Sequence, residues 1–178
     1  EGITNYSYFL AETIYSGKIT ARNMLILDEA HTIAELLSDF ISISFSERFA
    51  TALGITMPEC NTHNRAIKWI KEEYKPALIV QIKQLEGMLA KHDELAIKVR
   101  DAEIAKLSKQ YEKLDKHLCK IHRFLDDDNK DNWILEIIDA QDRASRKLEF
   151  KPIDVAPYAN EMLFTLGKHV IMMSATIL

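Results

Sequence analysis

The stretch Met24-Leu25-Ile26-Leu27-Asp28-Glu29-Ala30-His31 constrains the fold more than any other part of the chain. Its four apolar residues do not alternate with polar ones, as they would in a strand wetted on one face. Such a run fits a strand covered on both faces, the situation of a parallel sheet. After it, Ile33, Leu36, Leu37 and Phe40 keep the three-and-four spacing of an amphipathic helix. A strand, a tight polar turn and a helix make the α/β pattern. A second apolar run, "HVIMMSATIL", stands at residues 169–178. Adjacent parallel strands need a long crossover, so everything between the two runs is expected to be that crossover.

The crossover reads as mostly helical. Before the first run, "GITNYSYFL" predicts a strand leading into a turn or helix, and "YFLAETIYSGKI" a short helix closed near Gly17. From Ser46, "SERFATALG" predicts a short helix capped by Ser46 and stopped by Gly54. Residues 62–91 place Ile67, Ile70, Tyr74, Leu78, Ile82, Leu85 and Leu89 on one stripe, and Pro76 should kink or split that helix. Residues 94–125 form a second amphipathic pattern, marked by Leu107, Tyr111, Leu114, Leu118, Ile121 and Leu125, and the two suggest an antiparallel helical hairpin. "DDDNKDN" ends the second helix. "WILEII" and "KLEFKPI" flank a polar loop as a β-hairpin, and Pro157–Leu166 reads as a helix closed by Gly167.

Charge is laid out unevenly. Residues 1–64 carry three basic and eight acidic side chains, residues 65–123 fourteen and nine, and residues 124–178 six and ten. The basic middle admits contact with nucleic acid, although at this density a solvated helical face accounts for it better. Lys106, Lys109, Lys113 and Lys116 span several turns and are expected not to share one face. No apolar run reaches the roughly 20 residues that cross a bilayer, and no signal peptide opens the sequence. Cys60 and Cys119 are too few for a disulfide framework, which points to a reducing, intracellular setting. The chain opens on Glu1 and stops within an apolar run, so it is expected to be a piece of a longer protein.

A carboxylate at the carboxyl end of a buried parallel strand faces the crevice where α/β folds bind ligands. An Asp there can hold Mg²⁺ through water, and a neighbouring Glu can orient or deprotonate an attacking water. Asp28 and Glu29 therefore read as a Walker B pair. A lone Asp-Glu pair would be a polar turn more often than a site. The tetrad Asp28-Glu29-Ala30-His31 arises by chance in about one in a thousand chains of this length.

"LILDEAH" resembles motif II of superfamily 2 helicases, and "VIMMSATIL" resembles the strand and Ser-Ala-Thr of their motif III. "GITNYSYFL" and "KPIDVAPYANEMLF" resemble the matching segments of the XPD/DinG group of DNA helicases. The resemblance covers residues 1–41 and 148–178, and the middle matches by position, length and helical character.

It implies an α/β fold in which a RecA-like parallel sheet is interrupted by a mainly helical, arch-like insertion with a small β-hairpin. Residues 1–41 and 153–178 would belong to the motor domain and residues 42–152 to the insertion. The implied activity is ATP-dependent 5′→3′ translocation on single-stranded DNA, with duplex unwinding of the kind used in DNA repair. Asp28 resembles the Mg²⁺ carboxylate and Glu29 the water-activating residue. His31 resembles the residue that links the nucleotide to motif III. Ser174, Ala175 and Thr176 resemble the segment that couples hydrolysis to DNA. Asn5 and Tyr6 would lie near the DNA track.

Two features depart from the family pattern. No G-x-x-x-x-G-K-[ST] occurs, so the loop that cradles ATP phosphates is missing and this chain by itself should be inactive. The cysteines that hold an iron–sulfur cluster in many members lie upstream of the matching segment. Neither Cys60 nor Cys119 corresponds to them, so this chain would not bind the cluster.

Two other readings compete. One is a non-enzymatic module whose helical hairpin docks a protein partner. The other is a zinc site built from Cys60, His63, Cys119 and His122, disfavoured because the two Cys-x-x-His pairs lie far apart in sequence. His117 and His169 show only ordinary placement.

Overall fold

The computed structural model describes residues 2–59, 62–94, 101–139 and 145–175. It is a mixed α/β structure, mainly helical, with one two-stranded parallel sheet and one three-stranded sheet. The chain divides into two compact units. One comprises Glu1–Ser42, Asp131–Ile134 and Lys151–Leu178, and the other Ile43–Lys130 and Leu135–Phe150.

In the first unit the two apolar runs meet as expected. Strands β1 (Arg22–Leu27) and β5 (Gly167–Met172) pair in parallel, with Met24 opposite His169, Leu25 opposite Val170, and Leu27 opposite Met172. Gly167 ends the 3₁₀ turn Phe164–Leu166 and also opens β5. A Cβ there would sit 2.7 Å from Leu25 Cβ, so the glycine lets the strands close. The expectation of strands covered on both faces is corrected. Leu27 is buried, but Met24, Ile26, Ile171 and Met172 are exposed, because each strand has only the other as its sheet neighbour among the described residues.

Helices α1 (Tyr6–Ile14), α2 (Ile33–Ile41) and α7 (Ala156–Met162) supply the unit's core. α2 buries Ile33, Leu37 and Ile41, four residues apart, and α7 buries Tyr158, Ala159 and Met162. The strand expected at the start of the chain is absent. Residues 2–5 have no ladder partner, and Asn5 instead caps α1, its Oδ1 accepting the Tyr8 N–H at 2.8 Å. Asn132 ties the unit's segments together. Its Nδ2 donates to the Asp154 carbonyl at 2.9 Å and its Oδ1 accepts the Asp154 N–H at 2.7 Å. This buried side chain thus matches the backbone as a strand neighbour would.

The second unit is built on β2 (Ile43–Ser46), β4 (Lys147–Pro152) and β3 (Trp133–Ile138), in the order β2–β4–β3. β3 and β4 neighbour each other as the hairpin reading anticipates. β2 has no counterpart in the sequence reading. It pairs antiparallel with β4, Ile43 opposite Phe150 and Phe45 opposite Leu148. α3 (Glu47–Ala52) follows directly. The Ser46 hydroxyl caps it through the Phe49 N–H at 3.3 Å, and Gly54 stops it in the left-handed region at φ +77°.

Pro76 interrupts the next helical run through its preceding turn. α4 (His63–Trp69) passes into a π-helical turn, Ile70–Tyr74, and then into α5 (Lys75–Glu94). The Lys75 N–H bonds back to the Ile70 carbonyl, five residues away. Two requirements explain the wider winding. A proline ring clashes with the carbonyl four residues before it. The buried residues Ile70, Tyr74, Leu78 and Ile82 are spaced strictly by four, and each such step overshoots an α-helical turn by about 40°. A π turn relieves both.

α6 (Asp101–Asp126) packs along α5 and against β2. It buries Leu114, Ile121 and Phe124, while the expected stripe members Leu107, Tyr111, Leu118 and Leu125 are half-buried. The Lys130 ammonium closes its end, donating to the Phe124 and Leu125 carbonyls at 3.1 and 2.8 Å.

The core of this unit is a set of rings around Phe45. Trp69, Tyr74, His117 and Phe150 have centroids 4.8–6.2 Å from it. His117 Nε2 lies 3.0 Å from the Tyr74 hydroxyl. Burial, with Lys120 and Lys113 adding to it, lowers the imidazole to about 4 from its ordinary 6.5. Burial also raises Tyr74 well above the phenol range. The neutral ring's contribution to stability is complete above pH 6.5. As pH falls from there towards 4, the unfolded chain takes up a proton that the folded chain refuses, and stability is lost. The loss should approach about 3 kcal/mol. Urea unfolding between pH 7.5 and 4.5 measures it, and His117→Gln should flatten that pH dependence.

Candidate functional site

β1 delivers Asp28 and Glu29 beyond its last buried residue, Leu27, so apolar anchoring aims two exposed carboxylates at the carboxyl end of the sheet. The Asp28 Oδ1 accepts the Glu29 N–H at 2.9 Å. Glu29 is the single described residue other than glycine with positive φ, at +50°. That left-handed conformation costs a residue with a Cβ about 1 kcal/mol or more. The turn is held by Thr32, whose N–H and hydroxyl both donate to the Glu29 carbonyl at 2.9 Å.

The far end of the chain completes the turn. The Met173 N–H donates to the Leu27 carbonyl at 2.8 Å, and the Ala30 N–H to the Met173 carbonyl at 2.9 Å. These two bonds extend the parallel ladder past both strands. They bring His31 and Ser174, 143 residues apart in sequence, to an Nδ1···Oγ distance of 2.7 Å. The same Nδ1 lies 3.3 Å from Glu29 Oε2. Both side chains are about half exposed, 44 % for His31 and 58 % for Glu29, so the contact is worth little in stability. Its effect is positional: one nitrogen is shared between a carboxylate and a hydroxyl, and can serve only one well at a time.

That sharing separates the cluster from a nucleophilic Ser-His-acid triad. A triad uses the two different ring nitrogens, one for the hydroxyl and one for the carboxylate. Here both contacts converge on Nδ1.

Tyr6 enters the same turn from α1, its hydroxyl donating to the Asp28 carbonyl. Burial, then the Asp28 and Glu29 charges, raise its pKa, so the proton it donates is held firmly. Asn5 is occupied as the helix cap. Ala175 is exposed in the turn after Ser174, and Thr176 lies outside the described residues. The structure thus gathers Tyr6, Asp28, Glu29, His31 and Ser174 at one end of the β1–β5 pair. The Tyr6 contact carries no local sequence signal, because its partner lies 22 residues away.

Among the described residues, no three His, Cys, Asp or Glu side chains converge to hold a metal ion. Asp28 suits a different arrangement, in which Mg²⁺ takes one carboxylate, several waters and substrate phosphates. Of the proposed zinc ligands, Cys60 lies outside the described residues, the His63 ring packs on Phe150 at 5.2 Å, and Cys119 is an exposed free thiol on α6. Among the described residues, no helix is long and apolar enough to cross a membrane. No protein-family model matches the chain, and no curated protein matches it.

Proposed function

We propose that this chain carries the magnesium- and water-orienting half of an ATP site in a 5′→3′ DNA helicase of the XPD/DinG type, acting on single-stranded DNA. The second unit would be the arch-like insertion. The observation that carries this reading is the 2.7 Å contact between His31 and Ser174, made where two parallel strands end side by side. The resemblance implies that His31 and Ser174 belong to motifs II and III, and their contact would couple hydrolysis to movement. The apolar side chains exposed on β1 and β5 also favour it. A RecA-like sheet would cover them with further strands and helices.

Bound Mg²⁺–ATP would supply the electrophilic γ-phosphorus. Asp28 would hold the metal. Glu29 would orient the attacking water and accept its proton. Leaving His31 for that water would free Nδ1 to bond Ser174 alone. A nucleotide-dependent change would thereby reach the strand end that carries motif III.

The test uses a longer protein that includes a phosphate-binding loop. Ser174→Ala should leave ATP hydrolysis within about threefold while reducing unwinding by about tenfold or more, a loss of roughly 1.4 kcal/mol in coupling. Parallel loss of both activities would overturn the coupling role. Absence of DNA-stimulated hydrolysis in the unmutated longer protein would overturn the helicase reading itself.

A further inference from the structure

Three consecutive peptide planes run through the turn after β1, and they are not held alike. In the plane joining Leu27 to Asp28, the carbonyl accepts the Met173 N–H at 2.8 Å. In the plane joining Glu29 to Ala30, the carbonyl accepts the Thr32 N–H and hydroxyl at 2.9 Å, and the N–H donates to the Met173 carbonyl at 2.9 Å. Main-chain hydrogen bonds thus fix both of these planes. The plane between them joins Asp28 to Glu29, and its hydrogen bonds among the described residues come from side chains alone. Its carbonyl accepts the Tyr6 hydroxyl, and its N–H donates to Asp28 Oδ1 at 2.9 Å. This is also the plane that sets Glu29 at φ +50°. Turning it over between its two fixed neighbours would carry Glu29 to an extended φ of about −130°, where a residue with a Cβ is unstrained.

We propose that the Tyr6 hydroxyl latches this peptide in its strained orientation, which makes Tyr6 a positioning residue for the Asp28 and Glu29 carboxylates. The latch is a property of the turn, whereas its effect on hydrolysis rests on the helicase reading. A left-handed residue with a Cβ is disfavoured by about tenfold, and a single hydrogen bond shifts an equilibrium by about fivefold. The two effects are of one size, so loss of the Tyr6 bond is enough to tip the plane. The Asp28 bond does not secure it alone, because that carboxylate is exposed and water can replace the Glu29 N–H. Tyr6 is well anchored for the task. It opens α1, whose first turn is capped by Asn5 and whose Leu10 is buried. α1 packs on α2, the helix into which the turn continues. The phenol therefore reaches the Asp28 carbonyl from the same core that holds the turn. Overturning the plane would release the Asp28 carboxylate from the Glu29 N–H and change the direction of the Glu29 side chain.

Solution NMR of the isotope-labelled 178-residue chain, with and without Tyr6→Phe, tests the latch. A positive φ brings a residue's own N–H and Hα protons close together, so their NOE reports the backbone state of Glu29. In Tyr6→Phe the ratio of left-handed to extended Glu29 should fall about fivefold, the effect of one lost hydrogen bond. Hydrogen exchange of the Thr32 and Met173 amides, which hold the flanking planes, should change by less than about threefold. Thr32→Val is the control. It also removes one hydroxyl from the turn, but from the Glu29 carbonyl, and should leave the ratio within about twofold. An unchanged ratio in Tyr6→Phe, an equal fall in Thr32→Val, or loss of the fold in Tyr6→Phe would each overturn the proposal. In a longer protein with a phosphate-binding loop, Tyr6→Phe should lower kcat about threefold and leave KM for ATP within about 1.5-fold. An unchanged kcat there would overturn the positioning role. The NMR measurement needs neither nucleotide nor DNA. A longer protein whose unmutated form hydrolyses no ATP would sink the helicase reading and leave the latch standing, and a failed latch leaves the helicase reading standing.

Discussion

Phe45→Ala should cost the second unit about 3–5 kcal/mol, the range for removing a fully buried phenyl ring. Phe45 is 0 % exposed, and four rings from three helices and a strand close on it. Its loss would leave a cavity that no single neighbour can fill, because Tyr74 and His117 are held by their mutual hydrogen bond. For a chain of this size the midpoint of thermal unfolding should fall by roughly 10 °C. Ser44→Ala, one residue earlier and exposed on the same strand, should change it by less than about 0.5 kcal/mol. Calorimetry on both variants checks the pair of values. Equal small shifts would mean that the ring cluster does not organise the unit.

β2, which carries Phe45, has almost no local signal in the sequence. Its four residues, Ile-Ser-Phe-Ser, offer only two apolar positions, too few to tell a strand from the end of one helix and the start of another. Its identity comes from β4, about a hundred residues away, and from no local signal. The β1–β5 pair was legible for the opposite reason: two unbroken apolar runs flank a mostly helical stretch, and parallel pairing then needs that stretch as its crossover. Pro76 announced an interruption but not its form, since the choice of a π turn depends on which residues face the core. At the candidate site, Asp28, Glu29, His31 and Ser174 were all visible as motif residues. Tyr6 reaches the turn through its hydroxyl, a contact that no spacing rule announces.

Glu29→Gln should produce the largest functional effect. In a longer protein with a phosphate-binding loop, ATP turnover should fall by about 10²–10⁴-fold, the usual contribution of a positioned general base. Nucleotide binding should stay within about threefold. Glutamine has nearly the same shape and can adopt the same left-handed backbone, so the turn held by Thr32 should persist. What disappears is the capacity to accept a proton, together with the charge facing His31 Nδ1. Single-turnover hydrolysis with separately measured ATP affinity distinguishes the two effects. A variant hydrolysing at the normal rate would remove Glu29 from the chemistry. The 178-residue chain, which has no such loop, should not hydrolyse ATP with either residue at this position.

The antiparallel register of β2 and β4 also bears on the order in which the molecule assembles. β1 and β5 are separated by about 140 residues, and bringing such distant segments together is slow and entropically costly. Ile43 and Phe150 are partners in the β2–β4 ladder. Once that ladder has formed, the free chain between β1 and β5 shrinks to roughly a quarter of its length, lowering the closure cost by about 1 kcal/mol. The second unit should therefore acquire protected amides before the parallel pair does. Pulse-labelled hydrogen exchange during refolding would show Phe45 and Phe150 protected ahead of Leu25 and Val170, with the turn at residues 28–32 the last part of the chain to take shape.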